Sequence, residues 1–110
     1  MEDRRIYLAL RIEDVARRAD VSANTLRSVG RGRAARPLTE AGVERALRWK
    51  GGSLQRLREG KPPLLVGGED PPSKLRDERE WDIWAEEDLS PSARMGAIRK
   101  ARDESMRRTG

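Results

Sequence analysis

The chain has no cysteine and no histidine. The first absence excludes disulfides, thiolate metal sites and a thiol nucleophile, and the second removes the commonest general base and metal ligand. Phenylalanine is also missing, and the aromatic residues are one Tyr and three Trp. Any core is therefore built mainly from Leu, Val, Ile and Ala. Hydrophobic residues make up 35% of the 110 positions and charged residues 39%. That balance argues against one core spanning all 110 residues. A core of roughly 60 residues with a polar extension fits better. No apolar run approaches the roughly 20 residues that cross a bilayer. The opening residues Met1-Glu2-Asp3-Arg4-Arg5 are not followed by an apolar signal core, so a cytoplasmic location, with no membrane partner, is expected.

What the chain does have is arginine. Twenty of its 24 basic residues are Arg, and the formal net charge is +5. The charge is segregated. Residues 1–60 hold 14 basic and 8 acidic side chains, residues 69–88 hold 3 basic and 9 acidic, and residues 89–110 hold 6 basic and 2 acidic. A basic head, an acidic middle and a basic tail are expected to have different roles.

The pattern along residues 1–60 is helical throughout. Ile6, Leu8 and Leu10 alternate with polar neighbours, but the run that follows favours a short helix over a strand. Val15, Ala16 and Ala19 share one helical face, with Glu13 and Asp14 in the first turn where the helix dipole favours acids. Asp20 tolerates the left-handed conformation and ends that helix. Ser22 is a good N-cap for a helix over 23–29, with Leu26 and Val29 inward and Asn24, Arg27 and Ser28 outward. Thr39 is expected to cap a helix over 40–49, and Ser53 a short helix that closes at Gly60. Trp49 is expected to plug the space between these two.

Residues 61–73, KPPLLVGGEDPPS, hold four Pro and two Gly and read as a linker. A helix over 74–88 carries Trp81 and Trp84 on an acidic background, and a last helix over 91–108 has a thin apolar stripe. The expected architecture is all-α. It comprises a five-helix unit over 1–60, the linker over 61–73 and a two-helix extension over 74–110.

The informative segment is 13–32, EDVARRADVSANTLRSVGRG. A helix, a tight turn and a second helix with a polar outer face make a helix-turn-helix, whose second helix fits the DNA major groove. Residues 4–57 resemble the Cro and phage-repressor family of helix-turn-helix proteins, often called XRE-like, in the version common in actinobacterial regulators. The resemblance rests on Arg5-Ile6, Leu8-Ala9-Leu10, Val15-Ala16-Arg17-Arg18-Ala19, Val21-Ser22, Thr25-Leu26, Val29 and Gly32. Pro37-Leu38-Thr39, Glu44 to Trp49 and Gly52-Ser53-Leu54 continue it. It implies a five-helix repressor-like DNA-binding domain, usually dimeric, that represses or activates transcription.

In that reading Asn24 reads adenine, and Arg27 reads guanine or holds a phosphate. Ala23 packs on a thymine methyl, and Ser28 donates to a base or a phosphate. Phosphate contacts are expected from Arg17, Ser22, Thr25, Arg31, Arg33 and Arg36. The competing reading of each is a polar surface in water, and for Arg27 an ion pair with Glu13 or Asp14. Trp81 and Trp84, with Leu89 and Ile98, are expected to form an interface, because a short acidic helix cannot bury two indoles alone. Covering a small hydrophobic satellite of the domain is the competing role.

The expected function is that of a sequence-specific regulator of transcription. It binds double-stranded DNA as a homodimer, most simply as a repressor on a palindromic operator. The alternative is an interaction protein (an antitoxin, an excision factor or a polymerase-binding adaptor) that docks another protein through residues 74–108. No phosphate loop, metal cluster or nucleophile–base pair is seen, so neither enzymatic activity nor a cofactor is expected.

Overall fold

The computed structural model describes residues 1–109. Among them are seven helices and no strand; one isolated antiparallel bridge joins Trp49 to Leu65. The chain divides into two compact units after Leu65.

The first unit holds α1 (Glu2–Tyr7), α2 (Ile12–Ala19), α3 (Ala23–Gly30), α4 (Pro37–Ala46) and α5 (Ser53–Arg58). Each is too short to persist alone in water, and they share one core of Val15, Leu26, Val43, Leu47, Trp49 and Leu54 with small alanines between. Local hydrogen bonding sets where the helices begin and end. The Asp14 carboxylate accepts from the Arg11 backbone N–H at 2.9 Å and opens α2. The Ser22 hydroxyl accepts from the Thr25 N–H at 3.1 Å and opens α3. Asp20 sits at φ 57°. There its N–H reaches the Arg17 carbonyl and the Val21 N–H reaches Ala16, which satisfies the end of α2. Ala9 and Arg48 make the same left-handed closure after α1 and α4.

Buried polar groups then join the helices. The Arg4 guanidinium donates from Nε to the Leu47 carbonyl at 2.8 Å, placing a cation at the C-terminal end of α4. The buried Glu44 accepts from the Leu54 N–H at 3.0 Å, in the first turn of α5. Gly42 lets α4 approach α2: a Cβ there would lie 3.0 Å from the Ala19 carbonyl oxygen.

Several local expectations are corrected. Thr39 caps nothing, because α4 starts two residues earlier with Pro37 in its first turn and Arg36 as N-cap; proline is pre-organised for that position. The helix expected to reach residue 49 stops at Ala46, because Arg48 turns left-handed. Ser53 is not an N-cap either; Gly52 is. The buried Ser53 hydroxyl instead donates to the Lys50 carbonyl at 2.7 Å and accepts from the Leu64 N–H at 3.0 Å. The Lys50 N–H donates to the Leu64 carbonyl at 2.7 Å. Residues 64–65 are thus held on the first unit, and the expected linker does not run free there.

The second unit pairs α6 (Glu78–Trp84) with α7 (Pro91–Thr109). The acidic helix is shorter than the expected 74–88 because Asp77 caps it, accepting from the Glu80 N–H at 3.0 Å. Ser90 accepts from the Ala93 N–H at the start of α7, as its position before Pro91 suggests. Trp84 is 0% exposed and Trp81 8%. On α7, against which α6 packs, Met95, Ile98 and Ala101 are buried as well.

The second unit buries Trp81, Trp84 and Ile98 by itself, contrary to the expectation that a short acidic helix cannot cover two indoles alone. Only Leu89, 43% exposed, stays on the surface. Three features make the burial possible. Gly67 lies flat against the Trp84 indole, whose Nε1 donates to the Glu69 carbonyl at 2.8 Å. The Arg94 guanidinium stands 4.9 Å from the Trp84 ring centroid and donates to the Gly67 carbonyl at 2.8 Å. The buried Glu80 takes two hydrogen bonds from Arg102, at 2.8 and 2.9 Å. The acidic α6 and the basic α7 are thus joined by an ion pair within one chain.

Candidate nucleic-acid interface

The α2–turn–α3 segment presents a continuous polar surface, and its geometry follows from the inward residues. Leu26 and Val29 turn one face of α3 into the core. The helical period then turns Asn24 and Arg27 to solvent, with Ala23 and Ser28 half-exposed beside them. Arg27 does not pair with Glu13 or Asp14. Its guanidinium Nη1 donates to the Asn24 Oδ1 at 3.2 Å, so these two exposed side chains of α3 form a pair.

The hydroxyls at the start of α3 are also joined. Ser22 Oγ accepts from the Thr25 N–H and donates to the Thr25 Oγ1 at 3.0 Å. That leaves the Thr25 hydroxyl proton available to an outside acceptor. On α2, Arg17 is largely exposed and donates to the Asp14 carboxylate at 2.9 Å. The hydrogen bond from the Arg11 amide and the nearby Arg11 and Arg17 charges hold Asp14 below the usual carboxylate range, against a smaller opposing effect of burial.

From Val21 to Thr39, through α3 and the loop after it, the chain carries four Arg and no acidic residue. Arg31, Arg33 and Arg36 are all exposed, and among the described residues none has a side-chain hydrogen bond or ion pair. The loop that carries them is nonetheless anchored. The Ala35 N–H donates to Glu40 Oε2 at 2.8 Å, and Arg58 holds both Glu40 oxygens at 3.0 Å. Burial pushes the Glu40 carboxyl up. The bonds from Arg58 and Ala35, with the Arg58 charge, outweigh it, and Glu40 stays ionised below its usual range. The result is a fixed base under three unpartnered guanidinium groups.

Two features of this surface are not evident from residue types alone. The Asn24–Arg27 pair is signalled only by i, i+3 spacing. The Glu40 anchor has no local signal, because its partner Arg58 is 18 residues away. Among the described residues no group of three or more metal-ligating side chains occurs, and no helix is long and apolar enough to cross a membrane. No family model matches the chain, and no curated protein or solved structure does.

Proposed function

We propose that residues 1–65 are a repressor-like helix-turn-helix unit of the XRE type and that the protein is a sequence-specific, double-stranded DNA-binding regulator of transcription. α3 is the helix placed in the major groove. Asn24 and Arg27 meet base edges, with Ala23 and Ser28 beside them. Arg31, Arg33 and Arg36, with Arg17 and the Ser22–Thr25 hydroxyl pair, meet the phosphates. Base contacts carry the sequence preference, and phosphate contacts hold the register. Two copies on a palindrome would place their reading helices in successive turns of one face, about 34–36 Å apart. The protein acts by occupying its site, not by catalysis.

The observation that carries this reading is the pairing of a polar, outward α3 face with an anchored loop of three exposed, unpartnered arginines. A solvated surface does not need its cations held on a part-buried Glu40–Arg58 brace. Selection of bound DNA from random duplexes by the full-length protein is the test. A palindromic enriched motif is the expected result. Failure to bind any duplex at low salt would overturn the proposal.

A further inference from the structure

From the Asn24–Arg27 contact we infer that α3 reads two adjoining base pairs as one unit, an A·T pair beside a G·C pair, with the adenine and guanine edges turned toward the helix. The inference rests on the DNA-reading role proposed above and specifies what that face recognises.

Spacing is the first argument. Residues 24 and 27 are three apart on α3, which places them about 4.5 Å apart along the helix axis at about 1.5 Å per residue. Neighbouring base pairs are about 3.4 Å apart. The two side chains therefore address neighbouring base pairs, not one pair or two distant ones.

Donor and acceptor chemistry is the second. Asn24 Oδ1 has two lone pairs, and Arg27 occupies one. The remaining lone pair and the amide N–H groups match the N6–H donor and N7 acceptor of adenine. Arg27 spends one N–H on Asn24, and four of its five donors remain. Two of these form the fork that meets guanine O6 and N7. Both residues keep a complete two-bond recognition edge while bonded to each other.

Pre-organisation is the third. A free arginine on a helix surface samples many rotamers and loses that freedom on binding. Here the Asn24 bond has already restricted it. Removing Asn24 thus releases Arg27 as well. Arg31, Arg33 and Arg36 supply phosphate contacts nearby, so Arg27 is not needed for charge alone.

The experiment uses the full-length protein, its Asn24→Ala, Arg27→Ala and Arg27→Lys variants, and the Asn24→Ala/Arg27→Ala double variant. All the changed side chains lie on the exposed face of α3, and an unchanged far-UV circular dichroism melt checks that the fold is intact. The probes are duplexes selected from a random library, then copies of the selected site carrying every dinucleotide at the α3 step. The wild type is expected to select adjoining adenine and guanine edges. Each alanine variant should lose roughly 10- to 100-fold on that site, the range of one bidentate base contact. Each should also lose preference at both positions, and the double variant should lose much less than the product of the two. Arg27→Lys should keep general affinity for DNA and lose the guanine preference. A selected motif without that step, or single variants that each relax one position with additive losses, overturns this inference and leaves DNA reading by the domain intact. Absence of any selected motif defeats the DNA-reading proposal and this inference together.

Discussion

Replacing Arg31, Arg33 and Arg36 together by Ala isolates the electrostatic share of DNA binding. All three are exposed and, among the described residues, unpartnered. Their removal therefore deletes no folded-state bond, and the Glu40–Ala35 contact that shapes the loop is made by a backbone N–H that the substitutions leave in place. Each phosphate contact contributes about −0.9 to the slope of log affinity against log salt concentration on duplex DNA. Three contacts contribute about −2.7. Raising salt from about 50 to about 200 mM is a fourfold change, or about 0.6 log units, so the three arginines account for about 1.6 log units, roughly a 40-fold share of the wild type's salt-induced loss.

The assay is fluorescence anisotropy of a labelled duplex across that salt range, with the selected site and a scrambled duplex in parallel. The variant should bind both duplexes more weakly, by similar factors, and its slope should be flatter by about 2.7. An unchanged slope would show that the loop does not touch phosphates. A large change in the ratio of selected to scrambled binding would give these arginines a base-reading role and refute the division of labour.

Glu80→Gln should destabilise the second unit by about 2–4 kcal/mol, because it unpairs a guanidinium that is only partly exposed; loss of the Trp81 and Trp84 indole NMR signals at lower urea than in wild type is the readout, and coincident transitions would contradict it. The bonds from Arg102, chiefly, hold the Glu80 carboxyl below its ordinary value of 4.5 against the opposing effect of burial, and the Arg76 amide and the charges of Arg102 and Arg76 help. A depressed carboxyl contributes fully above its unfolded pKa and loses that contribution as pH falls through the folded one, so the second unit should weaken below about pH 4.5, and Glu80→Gln should flatten that dependence. Gly67→Ala places a Cβ 2.7 Å from Trp84 atoms at φ 81° and should cost roughly 2–5 kcal/mol, whereas Gly68→Ala, at φ 85° with Glu87 Oε1 the nearest atom at 3.6 Å, should cost only the backbone strain of about 1–2 kcal/mol. Equal melting temperatures for the two would refute the close-packing argument. Ala9→Gly relieves a left-handed alanine at φ 56° on an exposed turn and should stabilise the first unit by roughly 0.5–1 kcal/mol; a lowered melting temperature would count against strain at that turn.

Residue order alone determined the features whose partners lie within one helical turn. Ser22 and Thr25 are three apart, Asp20 closes α2 on carbonyls three and four positions back, and Leu26 and Val29 set the buried face of α3. Hence the α2–turn–α3 segment, the outward direction of Asn24 and Arg27, and the exposed arginines after α3 are all legible in the sequence. The tertiary structure decided whatever depends on residues far apart in sequence. Whether an indole on a seven-residue acidic helix is buried by its own chain or by another cannot be read from that helix. It turned on Gly67, Glu69 and Arg94, ten or more residues from Trp84. The tie between α5 and α4 rests on Glu44 reaching Leu54, and the footing of the arginine loop on Arg58 reaching back to Glu40. Residues 61–73 have the composition of a linker, yet Leu64 is held by Ser53 and Gly67 by Arg94. Proline and glycine mark where a chain cannot stay helical. Whether such a stretch is free depends on the donors and acceptors that folding brings to its backbone, and those come from distant residues.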